Sequence, residues 1–208
     1  MCSSDLAWME NFKPIQCGKK LWICPSWCQV PDPQATTVML DPGLAFGTGT
    51  HPTTFLCLGF LDELSLAQPQ GSFAGWELVD YGCGSGILAI AALKLGAKQA
   101  YGVDIDDQAL LSSKDNAERN HVSAKLELFK DPRGKVPPCP LVVANILAGP
   151  LAELEPNIAA LCAPGAKLAL SGILESQAKE VITAYSQDFT IDYTKTLDGW
   201  VLIAATRK

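Results

Sequence analysis

Basic residues are scarce in this 208-residue chain: 16 Lys and Arg stand against 22 Asp and Glu, leaving a net charge of −6. A broad footprint on a phosphate backbone needs the opposite balance, so direct nucleic-acid binding is not expected. Long apolar runs are missing as well. No stretch approaches the roughly eighteen consecutive apolar residues of a membrane span, and the N-terminus lacks a basic region followed by an apolar run, so a cytoplasmic protein is expected, with no membrane association. The eight cysteines are scattered through a chain with 48% hydrophobic content. Such a chain can bury one large core, and reduced thiols suit it better than a disulfide framework. Cys17, Cys24 and Cys28 form a loose cluster but have neither a Cys-x-x-Cys pair nor a nearby His, so no metal site is expected there.

The chain is organised around Glu77 to Gly86, Glu-Leu-Val-Asp-Tyr-Gly-Cys-Gly-Ser-Gly. Leu78 and Val79 belong to a buried strand, and Ile87, Leu88, Ile90, Ala91 and Leu95 follow with helical spacing until Gly96. Between them, Gly82, Gly84 and Gly86 allow a sharp turn at positive φ that a ligand can approach without meeting a Cβ. The N-terminus of the helix behind them can hold an anion. The spacing is Gly-x-Gly-x-Gly, with Ile87 where a nicotinamide-dinucleotide fingerprint has its third glycine. A further strand, Ala100 to Val103, ends at Asp104, about twenty residues on, where a carboxylate can accept ribose hydroxyls. Asp106 and Asp107 read as caps of the next helix. Cys83, inside the turn, reads as a small side chain that fits.

Residues 1–38 are rich in Pro, Trp and Cys without sustained period, and are expected to be a linker that packs on a domain spanning 39–208. Met1 to Leu6 resemble a translated adapter joined to an internal reading frame, which suggests a remnant of a longer protein. From Asp41 a Gly/Thr-rich loop, Asp-Pro-Gly-Leu-Ala-Phe-Gly-Thr-Gly-Thr-His-Pro-Thr-Thr, contains no Lys and is not a P-loop. Pro52 suits the first position of the helix that follows, which puts the Thr54 hydroxyl in its first turn and His51 at its cap. Beyond Asp104 the patterns predict a helix over 107–120, a strand over 126–129, a proline-bearing loop over 131–140 and a strand over 141–144. The continuous apolar run of that last strand belongs in a parallel sheet covered on both faces, and it ends at Asn145 on the edge where open α/β sheets bind ligands. A helix over 150–161, a strand over 167–170, a helix over 174–185 and an antiparallel pair, 189–193 and 200–205, turned by Asp198 and Gly199, complete the chain.

Together these residues resemble a class I S-adenosylmethionine-dependent methyltransferase. Leu40 to Thr54, Asp80 to Ile90, Gly102 to Asp106 and Val142 to Pro150 are similar, more closely, to the ribosomal protein L11 methyltransferase family. The resemblance implies a Rossmann-like, mostly parallel doubly wound sheet with an antiparallel strand near the C-terminus. It also implies S-adenosylmethionine as cofactor, held at Thr54, Gly82, Asp104 and Asn145, and ribosomal protein L11 as substrate, methylated on lysine or N-terminal amines. The resemblance further implies an N-terminal substrate-recognition domain, which this chain is expected to lack; cofactor binding is expected to survive that loss better than substrate docking. Asn145 is the expected catalytic residue, its carbonyl orienting the neutral amine, and no general base stands out. Two other readings are a cofactor-binding fragment without efficient activity and an amino-directed base methyltransferase. The second expects Pro and an aromatic residue after the Asn, where Ile146 and Leu147 stand.

Overall fold

The structure, a computed structural model, describes residues 13–41 and 51–208. The Gly/Thr-rich loop of 42–50 and the opening residues 1–12 lie outside the described residues. Three short strands come first: β1 Ile15–Gln16, β2 Leu21–Cys24 and β3 Thr36–Met39. Strands this short are too brief for an alternation to be read from the sequence, which is why this stretch shows no period. Cys17, Leu21, Ile23 and Val38 nevertheless enter the same apolar cluster as the helices that follow. The boundary drawn between residues 38 and 39 falls inside β3.

Helix α1 (Pro52–Leu66) starts with Pro52 in its first turn and His51 as N-cap, the His51 ring accepting from Thr53 N at 3.4 Å. The seven-stranded sheet is then built from β4 (Glu77–Tyr81), β5 (Gln99–Val103), β6 (Leu126–Phe129), β7 (Cys139–Asn145), β8 (Cys162–Leu174), β9 (Phe189–Leu197) and β10 (Trp200–Arg207). Its order is β6-β5-β4-β7-β8-β10-β9. The first five run parallel, and β10 is antiparallel to both of its neighbours. Helices α2 (Ile87–Lys94) and α3 (Asp107–Arg119) link the strands on one side of the centre; α4 (Ala148–Glu153), α5 (Glu155–Ala160) and α6 (Ala178–Tyr185) follow β7 and β8.

Period-two burial explains the apolar runs. Leu78, Leu141 and Val143 pack into the cluster that holds α1 and α2, whereas Val79, Val142 and Ala144 pack into a second cluster with Leu151, Ile158 and Val181. Each central strand is therefore covered on both faces, as a parallel sheet requires. The helix expected over 150–161 is instead two short helices meeting at Leu154 (φ −90°, ψ 4°). Pro156 accounts for the break, because it has no N–H to continue the first helix and tolerates only the opening turn of a new one. The strand expected over 167–170 extends over thirteen residues. Asp198 (φ 50°) and Gly199 (φ 78°) turn β9 into β10 with both central residues at positive φ, the geometry that suits a two-residue hairpin.

Candidate functional site

Strand order reverses at β4: the chain moves outward through β5 and β6, then returns to place β7 on β4's other side. Loops at the carboxyl ends of β4 and β7 diverge there and leave a crevice. The glycine turn after β4 folds over the end of β5, with Gly82 N and Cys83 N both donating to Val103 O, at 2.7 and 3.0 Å. Helix α3 completes it: Ser113 Oγ donates to Gly84 O and Asn116 Nδ2 to Ser85 O, each at 2.9 Å. The acceptor at the N-terminus of α2 is supplied from within the chain. Asp80 Oδ2 accepts from Ala89 N at 3.0 Å, and burial pushes this carboxyl up to about 7. Cys83 is buried with its Sγ 3.5 Å from Ser113 Oγ, and burial holds its thiol well above the usual range, which suits packing and not nucleophilic attack.

Asp104 follows β5, its Oδ2 accepting from Gly84 N at 2.9 Å and its Oδ1 from Asp106 N at 3.1 Å. Asp106 caps α3 as expected, accepting from Gln108 N, while Asp107 stands in the first turn and pairs with Lys130 at 2.7 Å. Asn145 ends β7 and donates from Nδ2 to Thr54 Oγ1 at 3.3 Å, joining two residues far apart in the chain. Its Oδ1 is buried with no hydrogen-bond partner. Gly82 has φ +75°, and a Cβ there would lie 2.3 Å from Ile146 Cγ2. The space that Gly82 leaves open is therefore taken by the side chain next to Asn145.

A cavity of about 780 Å³ opens at this edge. Gly82, Asp104 and Asn145 line it. Thr54 does not: it is fully buried behind Asn145, and Thr53 lines the wall in its place. His51 also reaches the wall, its ring edge-on to Trp200 at 4.9 Å between centroids. Sequence reasoning missed Trp200, Tyr81, Ile146 and Gly172, all lining residues. Trp200 carried one faint signal, an aromatic beside the Asp-Gly turn; Gly172 carried none, lying inside an apolar strand. Among the described residues no group of His, Cys, Asp or Glu could hold a metal ion, and no helix is long and apolar enough to cross a membrane.

Comparison with solved structures places this architecture among the class I methyltransferases. An RNA methyltransferase from Salinibacter ruber, in complex with S-adenosyl-L-homocysteine, shares the fold with TM-score 0.56 at 18% identity, over 76% of this chain and 94% of that one. The ribosomal protein L11 methylase from Lactobacillus delbrueckii subsp. bulgaricus superimposes with TM-score 0.83 at 32% identity, over 95% of this chain and all of that one. A family model described as ribosomal protein L11 methyltransferase (PrmA) matches residues 5–208. The ribosomal protein L11 methyltransferase of Actinobacillus pleuropneumoniae serotype 5b is 58% identical over 203 residues, covering 97% of this chain and 67% of the relative, so the chain spans about two thirds of that protein's length. The chain belongs to the ribosomal protein L11 methyltransferase family, and is an enzyme of the methyl-transferring class.

Proposed function

We propose that this chain transfers methyl groups from S-adenosylmethionine to lysine or N-terminal amines of ribosomal protein L11, in the cytoplasm, through a cofactor domain spanning 39–208 on which the preceding strands pack. The observation that carries the reading is the Asn145 carboxamide. Its Nδ2 is committed to Thr54 Oγ1, which leaves a buried, unpartnered Oδ1 on a residue that lines the cavity. An orphaned acceptor of this kind costs free energy unless a ligand supplies the donor, and a neutral amine has N–H groups to give.

The lining suits the cofactor. The cavity falls within the size range of small-molecule sites, Gly82 and Gly84 offer backbone without side chains, and Asp104 retains acceptor lone pairs for two ribose hydroxyls beyond those taken by Gly84 N and Asp106 N. When bound, the cofactor supplies a methyl group on a sulfonium centre, open to in-line displacement. The chain's own contribution is alignment: Asn145 Oδ1 accepts N–H from the amine and aims the nitrogen lone pair, and such orientation is worth roughly 7 to 11 kcal/mol in favourable cases. A lysine amine, ordinarily near pKa 10.4, must arrive neutral or lose its proton first. Asp104 is committed to Gly84 N, Asp106 N and the ribose hydroxyls, and no other side chain stands out as a general base, so the proton leaves to solvent. Ile146 and Leu147 stand where a base methyltransferase would use Pro and an aromatic residue, which favours an amine of protein over a flipped base.

Incubation with S-adenosylmethionine and purified ribosomal protein L11, read by intact mass, should show methyl increments on the protein. Methylation of ribosomal RNA in its place, or the absence of cofactor binding by calorimetry, refutes the assignment.

A further inference from the structure

One irregularity of the sheet lies against the Asn145 loop. Opposite β10, β8 holds Ile173 level with Val201 and Leu170 level with Ile203, so Ser171 and Gly172 together face Leu202 alone. This is a β-bulge, with Gly172 at φ +86°. Bulges bend a strand and re-aim the residues around them, and they gather next to functional sites. Here Ser171 Oγ closes the bulge by donating to Val201 O at 3.0 Å.

On its other side, β8 pairs with β7 up to Asn145 opposite Ser171, where the pairing ends. The next peptide, at Ile146, then rests directly on Gly172. A Cβ added at Gly172 would lie 2.2 Å from Ile146 O, 2.7 Å from its carbonyl carbon and 3.1 Å from its nitrogen. The Ile146 side chain meanwhile fills the space above Gly82. Residue 146 is thus gripped between two glycines, Gly82 in the turn after β4 and Gly172 in β8, and Asn145 is the residue immediately before it. Beyond the bulge, β10 carries Trp200 level with Leu174 and into the cavity wall.

We infer that the Ser171–Gly172 bulge is a positioning device for the acceptor end of the cavity: Gly172 sets where the Asn145 carboxamide stands by letting the Ile146 peptide seat against its bare backbone. The inference rests on the proposed methyl transfer for its kinetic readout, but its geometric content is independent of it. Any side chain at 172 pushes the Ile146 peptide away by about an ångström to reach an ordinary contact distance. A shift of that size at an aligning group can cost about 100-fold in turnover. Asp104 and the glycine turn follow β5 and β4, on the other side of β7 from Gly172, so cofactor affinity should be spared.

The same strand supplies a control. Gly165 also lies in β8, at φ +75°, and a Cβ there meets nothing within 4 Å. Gly165→Ala therefore bears the same kind of backbone strain without the contact. The experiment compares wild type, Gly172→Ala, Ser171→Ala and Gly165→Ala by calorimetry with S-adenosylmethionine, by kcat on ribosomal protein L11, and by the Asn145 side-chain amide NMR signal, assigned by its disappearance in Asn145→Ala. Gly172→Ala should keep cofactor affinity within about threefold, lose about 100-fold in kcat and displace the Asn145 signal, while Gly165→Ala matches wild type in all three. Unchanged kcat with an unmoved Asn145 signal in Gly172→Ala overturns the inference, and so does a loss shared equally by Gly165→Ala or an equal fall in cofactor affinity. If Gly172→Ala does not fold, Ser171→Ala decides: it should show a smaller split in the same direction, and wild-type behaviour in that variant overturns the proposal. If wild type itself binds no S-adenosylmethionine, the functional assignment fails, while the Asn145 signal still decides the role of Gly172.

Discussion

Replacing Asp80 with Asn should remove one component of the pH dependence of stability. Asp80 lies 1% exposed beneath the glycine turn, with Oδ2 on Ala89 N at 3.0 Å and Oδ1 buried without a partner. Burial pushes its carboxyl from 3.8 to about 7, against the hydrogen bond from Ala89 N, which favours the charged form, and with the help of the nearby Asp104 charge. The folded state therefore holds the proton more tightly than the unfolded chain does. Its contribution to stability is complete below pH 3.8 and is lost as pH rises through about 7. At about 1.4 kcal/mol per pH unit, a gap of roughly three units sets a ceiling of about 4 kcal/mol. The Asn variant can keep the Ala89 N–H bond through its carbonyl oxygen but cannot titrate. Urea denaturation of both proteins in steps from about pH 4 to pH 8 isolates the effect, because every other carboxylate is common to the two. Their difference in unfolding free energy should move in favour of the variant by up to about 4 kcal/mol as pH rises. A difference that stays constant across this range refutes the reasoning.

Asp104→Ala should weaken S-adenosylmethionine binding by about 1 to 3 kcal/mol, since the variant loses the acceptor for ribose hydroxyls as well as the one for Gly84 N; undiminished affinity in a folded variant by calorimetry removes Asp104 from the site. Asn145→Ala should lower kcat far more than cofactor affinity, and Thr54→Val should shift both in the same sense to a smaller degree, because it leaves Asn145 Nδ2 without its acceptor. A Thr54→Val enzyme with wild-type kcat contradicts that anchoring role. Gly82→Val should lose both folding stability and cofactor binding, as its Cβ meets Ile146 Cγ2 at 2.3 Å on a backbone at φ +75° that a β-branched residue resists. Thermal melts and calorimetry on the same sample test this, and a variant with wild-type melting and affinity counts against the tight packing of Ile146.

Most of the skeleton was legible in the sequence because the signals that carry it are local. Strand β6 occupies Leu126–Phe129 as its pattern predicts, Pro52 opens α1, Asp106 caps α3, and Asp198 with Gly199 turns the closing hairpin, each set by residues within a few positions of one another. The unbroken apolar runs of β4 and β7 likewise announced a sheet covered on both faces. Three cavity-lining residues, Gly82, Asp104 and Asn145, could be picked out because each ends a strand or opens the turn after one. Tertiary structure alone decided how they fit together. Only the sheet order, with β10 between β8 and β9, brings Trp200 against His51. Only the folded core reveals that the acceptor at the start of α2 is Asp80, that Thr54 stands behind Asn145 instead of lining the cavity, and that Ile146 fills the space above Gly82 and rests on Gly172. The reason is the range of the contacts. Periodicity and turn chemistry act within a few residues, whereas strand register, bulges and the seating of one peptide on a distant glycine exist only once remote segments have paired and excluded water between them.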